Sequence, residues 1–294
     1  DQFCIVIINQ LKTIKMETQK VWFVTGASKG LGLILVKRLL TEGYSVAATS
    51  RNIIELQKVI SEENSRFLPL EVDLINENSV AEAISKTVDK FGHLDAVVNN
   101  AGYGQIGTLE EISDLERRQN FDTNVFGSLN IIRKAMPYLR AQKSGSIINI
   151  ASIGGLTGEF AGWGIYCATK FAVVGFTEAL AAEVKEFGVN ATVVYPGYFR
   201  TDFLTGGSLR IPKTEIEEYT EARKLQAAHE KDINGNQPGD PDKAALAMIE
   251  LVEMEKPPVH LVLGSDAFQI AGNKLNALQS EISDFKTLST STDF

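Results

Sequence analysis

Val21-Trp22-Phe23-Val24-Thr25-Gly26-Ala27-Ser28-Lys29-Gly30-Leu31-Gly32-Leu33 decides how the whole chain is read. Four consecutive apolar residues read as a strand buried on both faces. The glycine-spaced turn after them opens a helical pattern through Leu33, Val36, Leu39 and Leu40. Strand, glycine turn and helix in that order gather backbone N–H groups at the positive end of a helix dipole, and such a place binds pyrophosphate. The spacing is Gly-x-x-x-Gly-x-Gly, longer between the first two glycines than the usual dinucleotide fingerprint. A competing pattern covers the same residues. Gly26-Ala27-Ser28-Lys29-Gly30 fits the Gly-x-Ser-x-Gly nucleophile elbow of hydrolases, which also joins a strand to a helix. That chemistry needs an acid and then a histidine further on. Of His93, His229 and His260, the last could serve, behind Asp232 or Asp240.

Outward from this stretch the pattern repeats. Apolar runs at 44–49, 67–72, 94–99, 146–150, 190–195 and 259–264 read as strands. Helical patterns at 53–61, 79–91, 113–140, 241–255 and through Tyr166 to about Phe187 alternate with them. Such alternation predicts an α/β fold, a Rossmann-type doubly wound parallel sheet of about seven strands with helices on both faces. One dinucleotide-binding catalytic domain is expected over 19–272. Between Gly197 and Pro241 the pattern breaks at Gly206-Gly207, Asn234-Gly235-Asn236 and Pro238-Gly239. The segment 198–240, with one helix over 214–229, reads as a substrate lid, because long irregular insertions in compact domains usually carry function. Residues 1–18 read as an extension outside the fold, with Met16 as an alternative start, and 273–294 as a polar, frayed C-terminal tail.

Composition narrows the function. The chain has 294 residues, 44% hydrophobic and 22% charged, enough for a large core. A net charge of −8 leaves no basic stripe to neutralise nucleic-acid phosphates, so any phosphate site is local. Cys4 and Cys167 lie far apart without metal-ligand spacing, which argues against a disulfide framework or a metal site and for a reducing, cytoplasmic setting. No stretch reads as the ~20 apolar residues that span a bilayer, and the run Phe3 to Ile8 is too short for a secretory segment.

The second strand pattern ends in Thr49-Ser50-Arg51-Asn52. At this distance from the glycines a carboxylate suits a free ribose 2′-hydroxyl and a basic residue suits a 2′-phosphate. Ser50 and Arg51 stand there, and Lys29 lies in the turn, so the sequence favours NADP(H) over NAD(H). Tyr166-Cys167-Ala168-Thr169-Lys170 supplies chemistry. Tyr and Lys four apart on a helix share a face. A phenol with a pKa of about 10 takes no proton from an alcohol at neutral pH, and a neighbouring ammonium favours the phenolate. Tyr166 is thus placed as a general acid/base with Lys170 as its cation, although the same spacing is elsewhere an ordinary surface pair. Cys167 reads as a packing residue. Trp163, Tyr198, Phe203, Leu204 and Ile211 lie in or beside the lid and point to a partly apolar substrate, or to lid packing, and Tyr103 is assigned to the same cleft.

Taken together and in order, these motifs resemble the short-chain dehydrogenase/reductase family over nearly the whole of 20–264. The resemblance implies cofactor contacts at Gly26, Ser28, Lys29, Gly30, Leu31 and Gly32, at Ser50, Arg51 and Asn52, and at Asp73 and Leu74 near the adenine. Asn99-Asn100-Ala101-Gly102 is similar to the family motif that stabilises the central sheet and borders the cofactor. Pro196, Gly197, Phe199 and Thr201 match the segment that lines the nicotinamide. Asn124, Ser152, Tyr166 and Lys170 match the catalytic tetrad. By that analogy Ser152 holds the substrate oxygen, Lys170 also bonds the nicotinamide ribose, and Asn124 fixes a water that links Lys170 to solvent. Ser152 and Tyr166 are one residue further apart than is common in the family. Asn99 to Gly104, Pro238-Gly239-Asp240-Pro241 and Leu263 to Ala267 are similar to the hydroxysteroid dehydrogenase-like branch, whose substrates vary. The implied function is NADP(H)-dependent interconversion of an alcohol and a ketone or aldehyde in a homodimer or homotetramer, paired through the helices of Asn124 and Tyr166. Two readings stand beside it: a non-catalytic NADP-binding or scaffold protein of the same fold, and the hydrolase that uses Ser28.

Overall fold

The computed structural model describes residues 19–60, 64–204 and 207–294. The expected extension at 1–18, with Cys4 and Met16, and Gly206 of the expected lid lie outside the described residues. Nine strands follow in chain order among those described: β1 (Val21–Val24), β2 (Ser45–Ser50), β3 (Phe67–Glu71), β4 (Ala96–Asn99), β5 (Gly104–Gln105), β6 (Gly145–Ile150), β7 (Val189–Pro196), β8 (Leu209–Arg210) and β9 (His260–Leu263). Seven of them form one sheet in the order β3-β2-β1-β4-β6-β7-β9, every pair parallel. Beyond β1 the chain works outward to β2 and β3, and from β4 it works the other way. The order therefore reverses between β1 and β4, the place where open α/β sheets bind ligands.

Period-two alternation along the strands feeds two cores. Trp22 and Val24, Val46 and Ala48, Val98 and Ile148 point to one face. There they meet helices α1 (Gly30–Thr41) and α2 (Ile53–Val59) and a later helix, Pro241–Glu253, through Leu35, Leu39, Leu56 and Met248. Phe23, Ala47, Val97 and Ile147 point to the other face. They pack on α3 (Glu77–Phe91), on Ile131 and Leu139 of Gly127–Gln142, and on Leu180 and Val184 of Gly164–Val184. Side-chain caps start several helices. Asn52 accepts from Ile54 N, Asn76 from Asn78 N and Ser79 N, and Ser113 forms a capping box with Glu116.

Two expectations need correction. The single helix expected over 113–140 is α4 (Asp114–Phe121), a π-helical turn at Asp122–Phe126 and α5 (Gly127–Gln142). The extra residue in the wider turn carries Asn124 inward, and hydrophobic periodicity holds no trace of it. The tail expected to fray is helical. After α6 (Gly164–Val184), α7 (Thr220–Ala228) and α8 (Pro241–Glu253), α9 (Ser265–Asp284) and α10 (Lys286–Thr290) end the chain. Phe268, Ala271, Leu275, Leu278 and Ile282 recur at helical spacing, a signal hidden by the polar residues between them. One described helix, Gly164–Phe187, is long and apolar enough by composition to cross a membrane, although the sequence reading found no such stretch. Here it lies on the sheet through Val173, Leu180 and Val184.

A chain of buried amides ties the central strands to α6. Asn99 Nδ2 donates to Asn149 Oδ1 at 2.8 Å, Asn149 Nδ2 donates to Thr177 Oγ1 at 2.9 Å, and Thr177 in turn donates to Val173 O. Asn149→Ala leaves the Asn99 amide without its partner, removes the donor to Thr177 Oγ1 and opens a void in the core. Unfolding in denaturant should register a loss of about 2–4 kcal/mol, and a loss under about 1 kcal/mol would show that the chain of amides is dispensable.

Candidate active site

The chains leaving β1 and β4 are knotted together at the switch point. Thr25 Oγ1 accepts from Asn100 N and Ala101 N, both at 3.0 Å, and donates to Val98 O. Asn100 Nδ2 returns two bonds, to Thr25 O at 2.9 Å and Gly26 O at 3.1 Å. A Cβ on Gly32 would lie 2.3 Å from that same Nδ2, so the third glycine admits the clamp. Helix α1 then begins at Gly30 with Lys29 as its N-cap and no side-chain oxygen accepting from its first turn. Its first N–H groups are the kind of donor array that a phosphate satisfies.

A cleft of about 650 Å³ opens over this turn. Of the cofactor, catalytic and substrate residues named from the sequence, all line it except Gly32, Asn124 and Ile211. At one end, Ser50 Oγ accepts from Asn52 N, and Arg51 and Asn52 are exposed at the rim. Asp73 Oδ1 accepts from Ile75 N and so shapes the turn after β3. Residues 29 and 207 approach each other across the cleft: a Cβ on Gly207 would lie 3.8 Å from Lys29 Nζ.

At the centre, Tyr166 and Lys170 are both almost fully buried on α6. Lys170 Nζ donates to Ile150 O at 2.8 Å and stands 5.7 Å from the Tyr166 ring centroid. Ser152 accepts from Gly154 N at 3.1 Å and lies beside the Tyr166 phenol. Burial raises the Tyr166 phenol well above its ordinary value, and the neighbouring Ser152 hydroxyl offsets only part of this. Burial also brings the Lys170 ammonium down to about 8. The protein alone therefore holds a neutral phenol, and the ammonium lies close to losing its charge. Asn124 Oδ1 accepts from Tyr103 N, and its Nδ2 donates to Tyr103 O and Thr169 Oγ1, so its amide orients the strand end beside Gly102. A Cβ on Gly102 would touch both Asn124 Oδ1 and Lys170 Nζ. Asn124 and Lys170 thus flank one backbone position.

The segment after β7 is set by α9. Asp266 Oδ2 accepts from Tyr198 N at 2.7 Å, and a Cβ on Gly197 would fall 2.4 Å from both carboxylate oxygens. Only glycine lets that carboxylate sit against the chain. The far end of the cleft is aromatic. Trp163 packs edge-on to Tyr166 at 5.5 Å and against His229 at 4.9 Å, and Phe203 lies 6.2 Å from Tyr166. Ile211 is exposed and does not line the cleft. His229 and Gln237 do, and sequence reasoning missed both as cleft residues. A turn of π-helix, His229–Ile233, brings the first inward while Glu230, Lys231 and Asp232 stay exposed, and no local pattern announces it. The histidines bond away from Ser28: His93 to Asp95, His229 to Tyr198 and Leu225 O, and His260 to Tyr195.

Comparison with known proteins agrees with this geometry. The family model for short chain dehydrogenase matches residues 20–208. The 3-ketodihydrosphingosine reductase of Bacteroides thetaiotaomicron is 35% identical over 243 residues, 82% of this chain and 86% of that protein. A short-chain dehydrogenase from Streptomyces avermitilis superposes with a TM-score of 0.86 at 32% identity, over 95% of this chain and 100% of its own. ElxO with NADP bound superposes with a TM-score of 0.70 at 26% identity, over 85% of this chain and 99% of its own. With a seven-stranded parallel sheet, a glycine turn at its switch point and a buried Tyr166 and Lys170 one helical turn apart, the chain belongs to the short-chain dehydrogenase family of oxidoreductases.

Proposed function

We propose that this oxidoreductase interconverts an alcohol and a ketone or aldehyde with NADP(H), on a partly apolar small molecule, and that Tyr166 is its general acid/base. The observation that carries the reading is the convergence of half-buried Ser152 with buried Tyr166 and Lys170 on a cleft that begins at the N-terminus of α1, where the N-cap side chain makes no capping bond. The names of a ketone reductase and of an NADP-bound neighbour support the reaction class and the cofactor.

The first-turn N–H groups of α1 suit the pyrophosphate, Lys29, Ser50 and Arg51 suit a 2′-phosphate, and the segment Pro196 to Thr201 suits the nicotinamide. The cofactor supplies or accepts the hydride. The protein's part is a proton at the substrate oxygen. In reduction Tyr166 gives its proton to that oxygen while Ser152 holds it in line. The phenolate left behind is unfavourable in a buried site, and the Lys170 ammonium beside it lowers that cost. Asn124 serves by holding Tyr103 and the wall at Gly102, against which Lys170 rests. Exposed Phe126 and Phe171, on the elements of Asn124 and Tyr166, favour the expected pairing of two copies through this face.

Tyr166→Phe tests the assignment. Turnover of carbonyl substrates should fall by at least about 10³-fold with NADPH binding nearly intact, and substantial residual activity would remove Tyr166 from its role. Arg51→Asp should weaken NADPH binding by about tenfold or more and move preference toward NADH, read by quenching of protein fluorescence; unchanged preference would place the 2′-phosphate elsewhere.

The buried ammonium makes a prediction about stability. Lys170 titrates at about 8 in the folded protein and near its ordinary 10.5 when unfolded. Between those values the unfolded chain holds a proton that the folded one has lost, so this group adds stability as pH rises. Urea midpoints measured without cofactor from pH 8 to about 9.5, below the ordinary tyrosine range, should climb more steeply in wild type than in Lys170→Met. Parallel profiles would show that the ammonium is not held in a dry site.

A further inference from the structure

We propose that Tyr198, His229 and Gln237 form a second polar subsite in the cleft, which binds a hydroxyl group carried by the substrate away from its reacting carbon. The inference rests on the proposed reaction and adds to it a feature of the substrate class. It starts from His229, which is 3% exposed and lies on the lid. Its Nδ1 is 2.8 Å from Leu225 O. A carbonyl oxygen only accepts, so Nδ1 carries the proton. Its Nε2 is 2.9 Å from the Tyr198 hydroxyl. Burial lowers the imidazole below its ordinary value, which keeps it neutral and makes Nε2 an acceptor. Tyr198 therefore donates its only proton to His229, and the lone pairs of its oxygen remain to accept from a ligand.

Gln237 supplies an independent sign that a ligand belongs here. It is 2% exposed, lines the same cleft, and its Oε1 is buried with no hydrogen-bond partner among the described residues. Buried amides without partners are rare in folded proteins because each costs desolvation free energy. The backbone sets it beside Tyr198: Gly239 N donates to Tyr198 O, Arg200 N donates to Gly239 O, and Arg200 Nη2 donates to Gln237 O. The subsite thus has a phenol oxygen that accepts and an amide that accepts at one end and donates at the other. A hydroxyl matches this set, because it donates to one group and accepts from the other. An ether or an alkyl group matches it poorly. Trp163, packed edge-on to Tyr166 and tilted against His229, links this subsite to the reacting centre, so one molecule of modest size spans both.

The test uses the complex of the protein with NADPH and defined probes: acetophenone, its three ring-hydroxylated isomers and their methyl ethers. Dissociation constants are read by calorimetry, so the result does not depend on turnover, and NADPH absorbance reports hydride transfer separately. At least one hydroxyl isomer should bind about two- to twelvefold more tightly than acetophenone, the range of one neutral hydrogen bond, and its methyl ether should not. In Tyr198→Phe the ratio between that isomer and acetophenone should fall to about one, and Gln237→Leu should lower it too. The proposal is overturned if no isomer is preferred, if the methyl ether is preferred equally, or if Tyr198→Phe keeps the ratio. Binding with that preference but without hydride transfer would overturn the proposed reaction and leave the subsite standing.

Discussion

Two neighbouring parallel strands, β1 and β4, send their chains in opposite directions at their carboxyl ends, and the hydrogen bonds between Thr25 and Asn100 keep that parting in one shape. A crevice at a switch point exists in any doubly wound sheet. Its floor is useful only if the turn after β1 and the turn after β4 hold fixed positions. Here Thr25 and Asn100 bind each other's backbones, and the close packing of Gly32 on the Asn100 amide locks the start of α1 to the same joint. Asn99, one residue earlier, anchors the same strand to β6 and, through Asn149 and Thr177, to α6. The site for phosphate and the helix that bears Tyr166 are therefore joined by a continuous path of buried polar contacts.

Burial is the second constraint, and it acts against the chemistry before it serves it. A dry site raises the Tyr166 phenol and lowers the Lys170 ammonium, so neither charge is favoured by the protein alone. The same low polarity magnifies the attraction between phenolate and ammonium once both form. The helical spacing of Tyr166 and Lys170 places an ammonium beside the phenol. The structure adds that the ammonium is hydrogen-bonded to Ile150 O and that desolvation is the larger effect. Four-residue spacing reports proximity, but it does not report solvent.

Much of the sheet was legible because its strands are continuous apolar runs ended by glycine, asparagine or proline, and because buried faces alternate as at Trp22, Phe23 and Val24. The proposed cofactor positions lie mostly at strand ends, where a motif and its place in the fold coincide, and the proposed catalytic pair Tyr166 and Lys170 is marked by its shared face of α6. Asn124 was found by motif, yet the π-helical turn that delivers it was not, since one added residue leaves hydrophobic periodicity almost unchanged. His229 and Gln237 were invisible for another reason. They reach the cleft by tertiary contacts of an irregular segment, and nothing near them in sequence marks a ligand site. The helical tail was missed because its apolar residues are widely spaced among polar ones.

The lid completes the division of labour. Phe203 and Leu204 pack it against Tyr166, and its other anchors lie outside the tetrad. Glu111, buried before α4, accepts from Arg223 of α7 at 2.8 and 3.0 Å and from Thr108 N and Ile216 N. Strands β5 and β8 pair in parallel, and Phe199 pairs with Gly239. Removing one partner of a buried ion pair is costly, so the placement of α7 is strongly specified. His229 follows α7 directly, and its position relative to Tyr198 is inherited from that anchor. The reacting groups come from the rigid sheet and α6, whereas the groups that face the rest of the substrate come from an irregular segment pinned at a few points. Substitutions in the lid can then alter which molecule fits without disturbing the joint of Thr25 and Asn100 or the burial of Lys170. Under the proposed reaction, the clamp and the buried pair fix the chemistry and the pinned segment selects what enters, a separation that lets one sheet serve many substrates.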